Sequence, residues 1–460
     1  MSDTRITWSG RMAFMLATVG SAVGLGSIWK FPYMVGENGG SAFLLVYLAG
    51  LVVLILPLML AEFVVGRRGG GSAVGSIRAV ARESGASPAW SVVGGWGVLT
   101  GFLILSFYAV IGGWTLAYIP ISASDAFAGA SPDAIGGIFG ALLSDPDRLI
   151  LWQGVFMALA IGTVAMGVIS GIERMVTLLM PLMFVLLAGL VVYAVSTGDA
   201  AATFDFFFAP DFSKVTWEVA LDAIGLGFFS IGVGIGVMIT YAAYADRAIS
   251  LTQAAIWTIL ADTFASFLAA FAIFPIVFGF GLDPAGGAGL MFTTLPAAFG
   301  QMGAGAIVGT AFFVLLAVSA LASAISLLEL PVSWAVERFR VARALAALVI
   351  GGACFAVGLG TVWSFNRWAD WHPLSIIPAF EGKTFFDALD FLTSNIMLPA
   401  GGIAIALFAG FFVARKVMGD ELGIKSTATL GLLRFLLAVV APLAILAIVA
   451  VTLAQGGGGE

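Results

Sequence analysis

Eleven apolar segments run through this chain of 460 residues, at roughly 12–34, 42–67, 90–120, 150–170, 175–197, 217–246, 253–281, 305–336, 341–362, 384–413 and 428–454. Each is long enough to cross a bilayer as a helix, which takes about 20 apolar residues. Backbone groups at that depth must bond within the segment, so the expected fold is an all-α membrane bundle of eleven transmembrane helices. Two segments are interrupted by nearly the same string. Ala22-Val23-Gly24-Leu25-Gly26 in the first is echoed 210 positions later (232 − 22) by Gly232-Val233-Gly234-Ile235-Gly236 in the sixth. Glycine loses more freedom than alanine on entering a helix, so such clusters favour local unwinding. Unwound backbone at membrane depth persists only where protein buries it or where it lines a polar cavity. A matched pair of breaks in two halves points to a transporter binding site.

Composition rules out the soluble alternatives. The chain is 61% hydrophobic and 10% charged, with a mean hydropathy of +1.08. A soluble core could not bury that much apolar side chain and keep a polar surface. Cys354 stands alone in an apolar run, and the single histidine lies in Trp371-His372-Pro373, a loop pattern, so neither a disulfide framework nor a cysteine metal site is expected. A sequence pI of about 4.9 suggests no nucleic-acid partner. The first segment shows no small-residue cleavage site and is read as a retained span.

The charges are sorted by side. Arg5, Arg11, Arg67, Arg68, Arg78, Arg82, Arg174, Arg247, Arg338, Arg340, Arg343, Arg415, Lys416 and Lys425 fall on one face, 14 of the 20 basic residues. Opposite loops carry Asp125, Asp133, Asp145, Asp147, Asp199, Asp205 and Asp211. The positive-inside rule then predicts a multi-pass protein of the cell inner (plasma) membrane, with a cytoplasmic N terminus and the Gly456–Gly459 tail outside. If the two breaks are equivalent, spans 1–5 (1–197) and spans 6–10 (217–413) form a 5+5 inverted repeat with unwound helices 1 and 6. Span 11 (428–454) lies outside the repeat, and 1–460 forms a single transporter domain.

Freed carbonyls at a broken helix can coordinate a cation, and freed amides can receive an anion. Ser21, Ser27 and Ser230 flank the breaks with hydroxyls, and Asp262 falls nine residues into span 7. At 1.5 Å per residue that places it about 14 Å deep, near the midplane. A carboxylate there marks function by default, and a hard cation such as sodium, which prefers oxygen ligands, is the expected partner.

These residues also carry a family resemblance. Gly20-Ser21-Ala22-Val23-Gly24-Leu25-Gly26-Ser27-Ile28-Trp29-Lys30-Phe31-Pro32-Tyr33, followed by Glu37-Asn38-Gly39-Gly40, closely resembles the signature of the neurotransmitter:sodium symporters. Pro57-Leu58-Met59 with Glu62 and Gly66-Arg67 resembles the family's second span. Tyr108 with Gly113-Trp114-Thr115-Leu116 resembles its third. Phe228-Phe229-Ser230 leading to Ile239-Thr240-Tyr241 resembles the sixth, Thr293-Thr294-Leu295-Pro296 the fourth outer loop, and Ser323-Ala324-Ile325-Ser326-Leu327 with Glu337 the eighth span. The match runs from Arg5 to about residue 415 and is similar to bacterial or archaeal amino-acid transporters of the family.

The resemblance implies sodium-coupled symport into the cell by alternating access, with no enzymatic activity. It implies that substrate meets backbone around Ala22, Gly24, Gly26, Phe229 and Gly232, with the Tyr108 hydroxyl on its carboxylate. Side-chain walls would come from Ile104, Ile111, Phe229, Ile235, Ser323 and Leu327. Sodium site one would use Ala22, Ser27, Ser230, Asp262 and the substrate carboxylate. Site two would use Gly20, Val23, Ser319 and Ser323. Lys30 and Asp390, with Tyr108 and Phe229 as a lid, would form an outer gate, and Arg5, Trp8, Tyr244 and Glu337 an inner one. Glu62 would support freed backbone of span 6.

Four positions depart from the family pattern. Ser27 and Asp262 stand where asparagine is usual, Leu226 replaces a glutamine that helps hold chloride in animal members, and Ala322 replaces a side chain that donates oxygen to the second sodium. With Asp262 supplying negative charge, no chloride is expected. The sodium count is one or two. Gly24 stands where monoamine carriers have an aspartate, so a neutral amino acid is the expected substrate. Gly232 and Ile235 widen one wall relative to the serine and phenylalanine of a bacterial member, while Ile104 narrows another, leaving size open.

Other readings stay in view. Asp262 exchanging a proton would give a proton-coupled carrier of the same fold. A channel or non-transporting sensor would need a continuous pore or a signalling domain, and the sequence displays neither. An intramembrane enzyme lacks the His-Glu-x-x-His motif and the nucleophile elbow. The remaining partner is the lipid bilayer, and nothing in the sequence implies an oligomer.

Overall fold

The computed structural model describes residues 6–209, 212–214, 216–282 and 287–454; Arg5, Asp211 and the Gly456–Gly459 tail lie outside them. Nine continuous helices among the described residues are long and apolar enough to cross a membrane: Ser41–Gly69, Pro88–Ala123, Pro146–Ala165, Val168–Thr197, Leu251–Gly279, Gly305–Phe339, Arg343–Ser364, Phe385–Phe412 and Thr427–Val451. These are spans 2–5 and 7–11. Span 1 is the pair Arg11–Ala22 and Gly26–Glu37, bent by 55°. Span 6 is the pair Trp217–Ile231 and Val237–Ala243. The fold is an all-α membrane bundle with helices 1 and 6 unwound.

The two similar strings break their helices in different ways. In span 6, Gly232, Gly234 and Gly236 have φ of 69°, 97° and 85°, a left-handed conformation that side chains with a Cβ rarely adopt. In span 1 the chain turns at Val23 (φ −75°, ψ 90°), and neither glycine needs a positive φ. Close approach explains glycine there instead. A Cβ on Gly24 would overlap the Ser323 hydroxyl and come within 3.2 Å of the Tyr108 hydroxyl. A Cβ on Gly26 would lie 2.9 Å from the Ser230 Cα. The first string lets neighbouring groups approach the backbone closely, and the second breaks the helix through left-handed residues.

Spans 3 and 8 are the longest helices and pack together along much of their length, walling both breaks. Span 8 is the most enclosed of the continuous spans, whereas spans 4, 5 and 11 are the least buried and lie at the periphery of the bundle. The outer loop before span 8 turns inward: Leu290, Met291 and Phe292 are fully buried, and Tyr118 donates to the Phe292 carbonyl at 3.1 Å. At the other end, Trp8 packs edge-on against Tyr241 and Tyr244, and its indole N–H donates to the Tyr241 carbonyl at 2.9 Å. The unwound segments therefore lie between two packed layers.

Candidate functional site: the cavity between the two breaks

A cavity of about 530 Å³, open mouth included, lies between the breaks. Ala22, Gly24, Gly26, Ile104, Tyr108, Phe229, Gly232, Ile235, Ser323 and Leu327 line it, ten of the eleven residues expected to meet substrate. Ile111 does not. It is buried on span 3, three residues past Tyr108. Ser21, Leu25, Ser230, Val237, Ser326 and Leu398 also line the space. Leu398, from span 10, carries no signal that sets it apart in an apolar helix.

Polar groups converge on one side of this apolar space. The Leu25 amide points at the Tyr108 hydroxyl at 3.4 Å, and a Cβ on Gly232 would meet only open space. The backbone around the second break is held by Glu62, fully buried on span 2, which accepts from the Gly234 amide at 2.5 Å. A carboxylate accepting a backbone N–H is a strong charge-assisted bond and satisfies a donor that unwinding released.

Behind Ser230 the oxygen donors gather. Ser27 donates to Asp262 Oδ1 at 2.5 Å and lies 2.9 Å from the Ser230 hydroxyl, which in turn reaches Asp262 at 3.2 Å. Three elements far apart in sequence thus bring three side-chain oxygen groups to one buried point. The Tyr47 hydroxyl from span 2 approaches Asp262, Ser230 and Ser266 without hydrogen-bond geometry. It was invisible to sequence reasoning because span 2 reads as uniformly apolar around it. Although shorter than the asparagine usual at its position, the Ser27 side chain reaches Asp262.

The second oxygen group is looser. The Ser323 hydroxyl lies 3.5 Å from the Gly20 carbonyl and 3.4 Å from that of Ser21. Ser319 spends its hydroxyl on the Leu316 carbonyl at 2.9 Å, leaving its own carbonyl as its contribution. The Val23 amide bonds to Val19 at 2.7 Å, and the fully buried Ala322 side chain adds no oxygen.

In this conformation the expected outer-gate pair is not formed, while Trp8 and Tyr244 of the expected inner gate pack together. Lys30 and Asp390 do not pair in this structure: the ammonium stands over the Phe229 ring at 4.8 Å, and Asp390 accepts from Ser394 at 2.9 Å. At the inner end, the acid against Tyr244 is Glu329, at 2.8 Å, and Glu329 is ion-paired with Arg343. Glu337, two helical turns further on, accepts instead from the Ser72 amide at 2.5 Å. Glu329 had a signal, an acid within the apolar run of span 8, but the motif comparison drew attention to Glu337. Arg5, the expected partner, lies outside the described residues.

Comparison with known proteins decides the family. The model of the sodium:neurotransmitter symporter family matches residues 5–131 and 148–455. This chain belongs to that family. Among its relatives, the symporter is 36% identical to the uncharacterized sodium-dependent transporter YhdH of Bacillus subtilis, over 93% of each chain. It is 30% identical to an uncharacterized sodium-dependent transporter of Methanocaldococcus jannaschii, over 97% of this chain and 90% of the relative. The crystal structure of MhsT in complex with L-phenylalanine superimposes on the symporter with a TM-score of 0.86 at 41% identity, covering 96% of this chain and 99% of MhsT. The symporter is thus a multi-pass membrane protein of a sodium-dependent transporter family, not of an enzyme family.

Proposed function

We propose that this symporter carries a neutral amino acid into the cell together with one or two sodium ions, without chloride. The observation that carries the reading is the buried Asp262–Ser27–Ser230 oxygen group, set directly behind a cavity lined by backbone of both helix breaks. Sodium is a hard cation and suits such donors. A substrate carboxylate at the Leu25 amide and Tyr108 hydroxyl would sit beside the ion, and the apolar walls from Ile104, Ile235, Val237, Leu327 and Leu398 offer no charge to a side chain. MhsT, with L-phenylalanine bound, supports an amino-acid substrate.

In this reading site one comprises Ala22, Ser27, Ser230, Asp262 and the substrate, and site two comprises Gly20, Val23, Ser319 and Ser323. Ala322 weakens the second site by removing one of roughly five to six oxygens. The inverted halves, 1–197 and 217–413, rock about the two breaks, with Trp8, Tyr244 and Glu329 separating on the inner side and Lys30, Phe229 and Tyr108 on the outer. The N terminus is cytoplasmic. Chloride independence rests on Leu226, which offers only apolar surface, and on the carboxylate of Asp262. Sodium-dependent thermal-shift screening against the twenty amino acids identifies the substrate. Its uptake into proteoliposomes is then expected to be equal in chloride and gluconate media, and loss of uptake in gluconate overturns chloride independence.

A further inference from the structure

Away from the transport path, a second cavity opens where span 10 gives way to span 11. It encloses about 1040 Å³, open mouth included, and is lined by Arg415, Lys416, Gly419, Asp420, Gly423, Ile424, Lys425, Thr427 and Leu430. Arg415, Lys416 and Lys425 are all exposed, and Asp420 is the acid in the lining. Glu421 does not offset them, because it turns away to Arg67 at 2.6 Å. Arg434 lies close enough to repel Arg415 and uses its guanidinium on the carbonyls of Val413 (2.6 Å) and Phe411 (3.2 Å). The lining is therefore net cationic, with Arg434 at its edge and Glu83, itself ion-paired with Arg68, close enough to Lys416 to attract it.

Its depth in the membrane can be read from its neighbours. Phe411, Phe412, Leu432 and Phe435 are exposed on the outer faces of spans 10 and 11. The ring of Trp90 packs 4.9 Å from that of Phe412, and tryptophan favours the level of lipid headgroups. Arg415 follows Phe412 by three residues. A basic pocket at headgroup depth thus adjoins an apolar surface fit for acyl chains, the arrangement by which basic pockets between transmembrane helices hold anionic headgroups.

We propose that this cavity binds the phosphate-bearing headgroup of an anionic phospholipid of the adjoining leaflet. Arg415, Lys416 and Lys425 meet the phosphate, and the chains lie along Phe411, Phe412 and Phe435.

The test uses the purified full-length protein and native mass spectrometry, titrating phosphatidylglycerol against phosphatidylcholine, with inorganic phosphate as a separate arm. Wild type is expected to prefer phosphatidylglycerol. The triple variant R415Q/K416Q/K425Q should lose that affinity by at least about 20-fold, on the order of fivefold or less for each charge removed. Asp420→Asn should raise affinity a few-fold, and a control triple variant R174Q/R338Q/R340Q, at exposed positions elsewhere on the basic face, should stay within about twofold. Retained sodium-dependent uptake in phosphatidylcholine liposomes shows that each variant folds. Equal loss in both triple variants overturns the site in favour of general attraction to the leaflet. Competition by inorganic phosphate at low millimolar concentration overturns the lipid as its ligand, and so does unchanged binding by R415Q/K416Q/K425Q.

Discussion

Replacing Asp262 by asparagine keeps shape and one oxygen ligand but removes a fully buried charge. A unit charge about 4 Å from a cation contributes about 4 kcal/mol at an effective dielectric of 20. The amide oxygen recovers about 1–2 kcal/mol as an ordinary polar contact. The net loss is about 2–3 kcal/mol, a rise in half-saturating sodium of roughly 30- to 150-fold. Ser27 and Ser230 report on the same change, because both now donate toward the carboxylate, at 2.5 and 3.2 Å, and an amide NH₂ offers no acceptor on one side. The assay is uptake into proteoliposomes across a sodium titration, with a thermal-shift measurement in potassium to show that the variant folds. Half-saturating sodium within about threefold of wild type would refute the assignment of Asp262 to the ion.

Three further substitutions probe the cavity and the inner closure. Gly24→Ala puts a methyl group onto the Ser323 hydroxyl and 3.2 Å from that of Tyr108, so substrate-induced thermal shift should vanish while the variant still folds. A normal shift would place substrate elsewhere. Glu329→Gln leaves Arg343 without its charge partner and should lower the unfolding free energy by about 3 kcal/mol, the low end for breaking a buried pair because the Arg343 side chain keeps some access to solvent. Glu337→Gln is expected to cost about 1–2 kcal/mol, for one weakened bond to the Ser72 amide. Comparing melting temperatures of the two tests their order, and a larger drop for Glu337→Gln would contradict it.

The parts of the site legible in the sequence were those written in backbone chemistry. The glycine strings located both breaks, and Asp262 was conspicuous as a carboxylate in an apolar span. Ser27 and Ser230 were found because they border those breaks. What stayed hidden depends on how spans rotate against one another. Leu398, Val237 and Tyr47 look like any packing residues until neighbouring helices bring them to the cavity or the ion group. Ile111, three residues past Tyr108 on span 3, is buried but does not line this cavity, since helical spacing fixes a residue's face and not which neighbours pack over it. The gates were least legible, because a gate is a pairing that exists in some conformations. Glu329 rather than Glu337 meets Tyr244 here, and Lys30 rests on Phe229 rather than Asp390. Even the shared glycine pattern concealed two uses, three left-handed residues in span 6 and close approach of neighbouring groups to Gly24 and Gly26 in span 1.

The most direct test of coupled transport is uptake of the identified amino acid by purified protein in proteoliposomes, with an inward sodium gradient compared against equal sodium on both sides. Accumulation above the external concentration under the gradient, collapsing to equilibration without it, is the predicted result. Equal accumulation when choline replaces sodium, driven instead by an inward proton gradient, would contradict it.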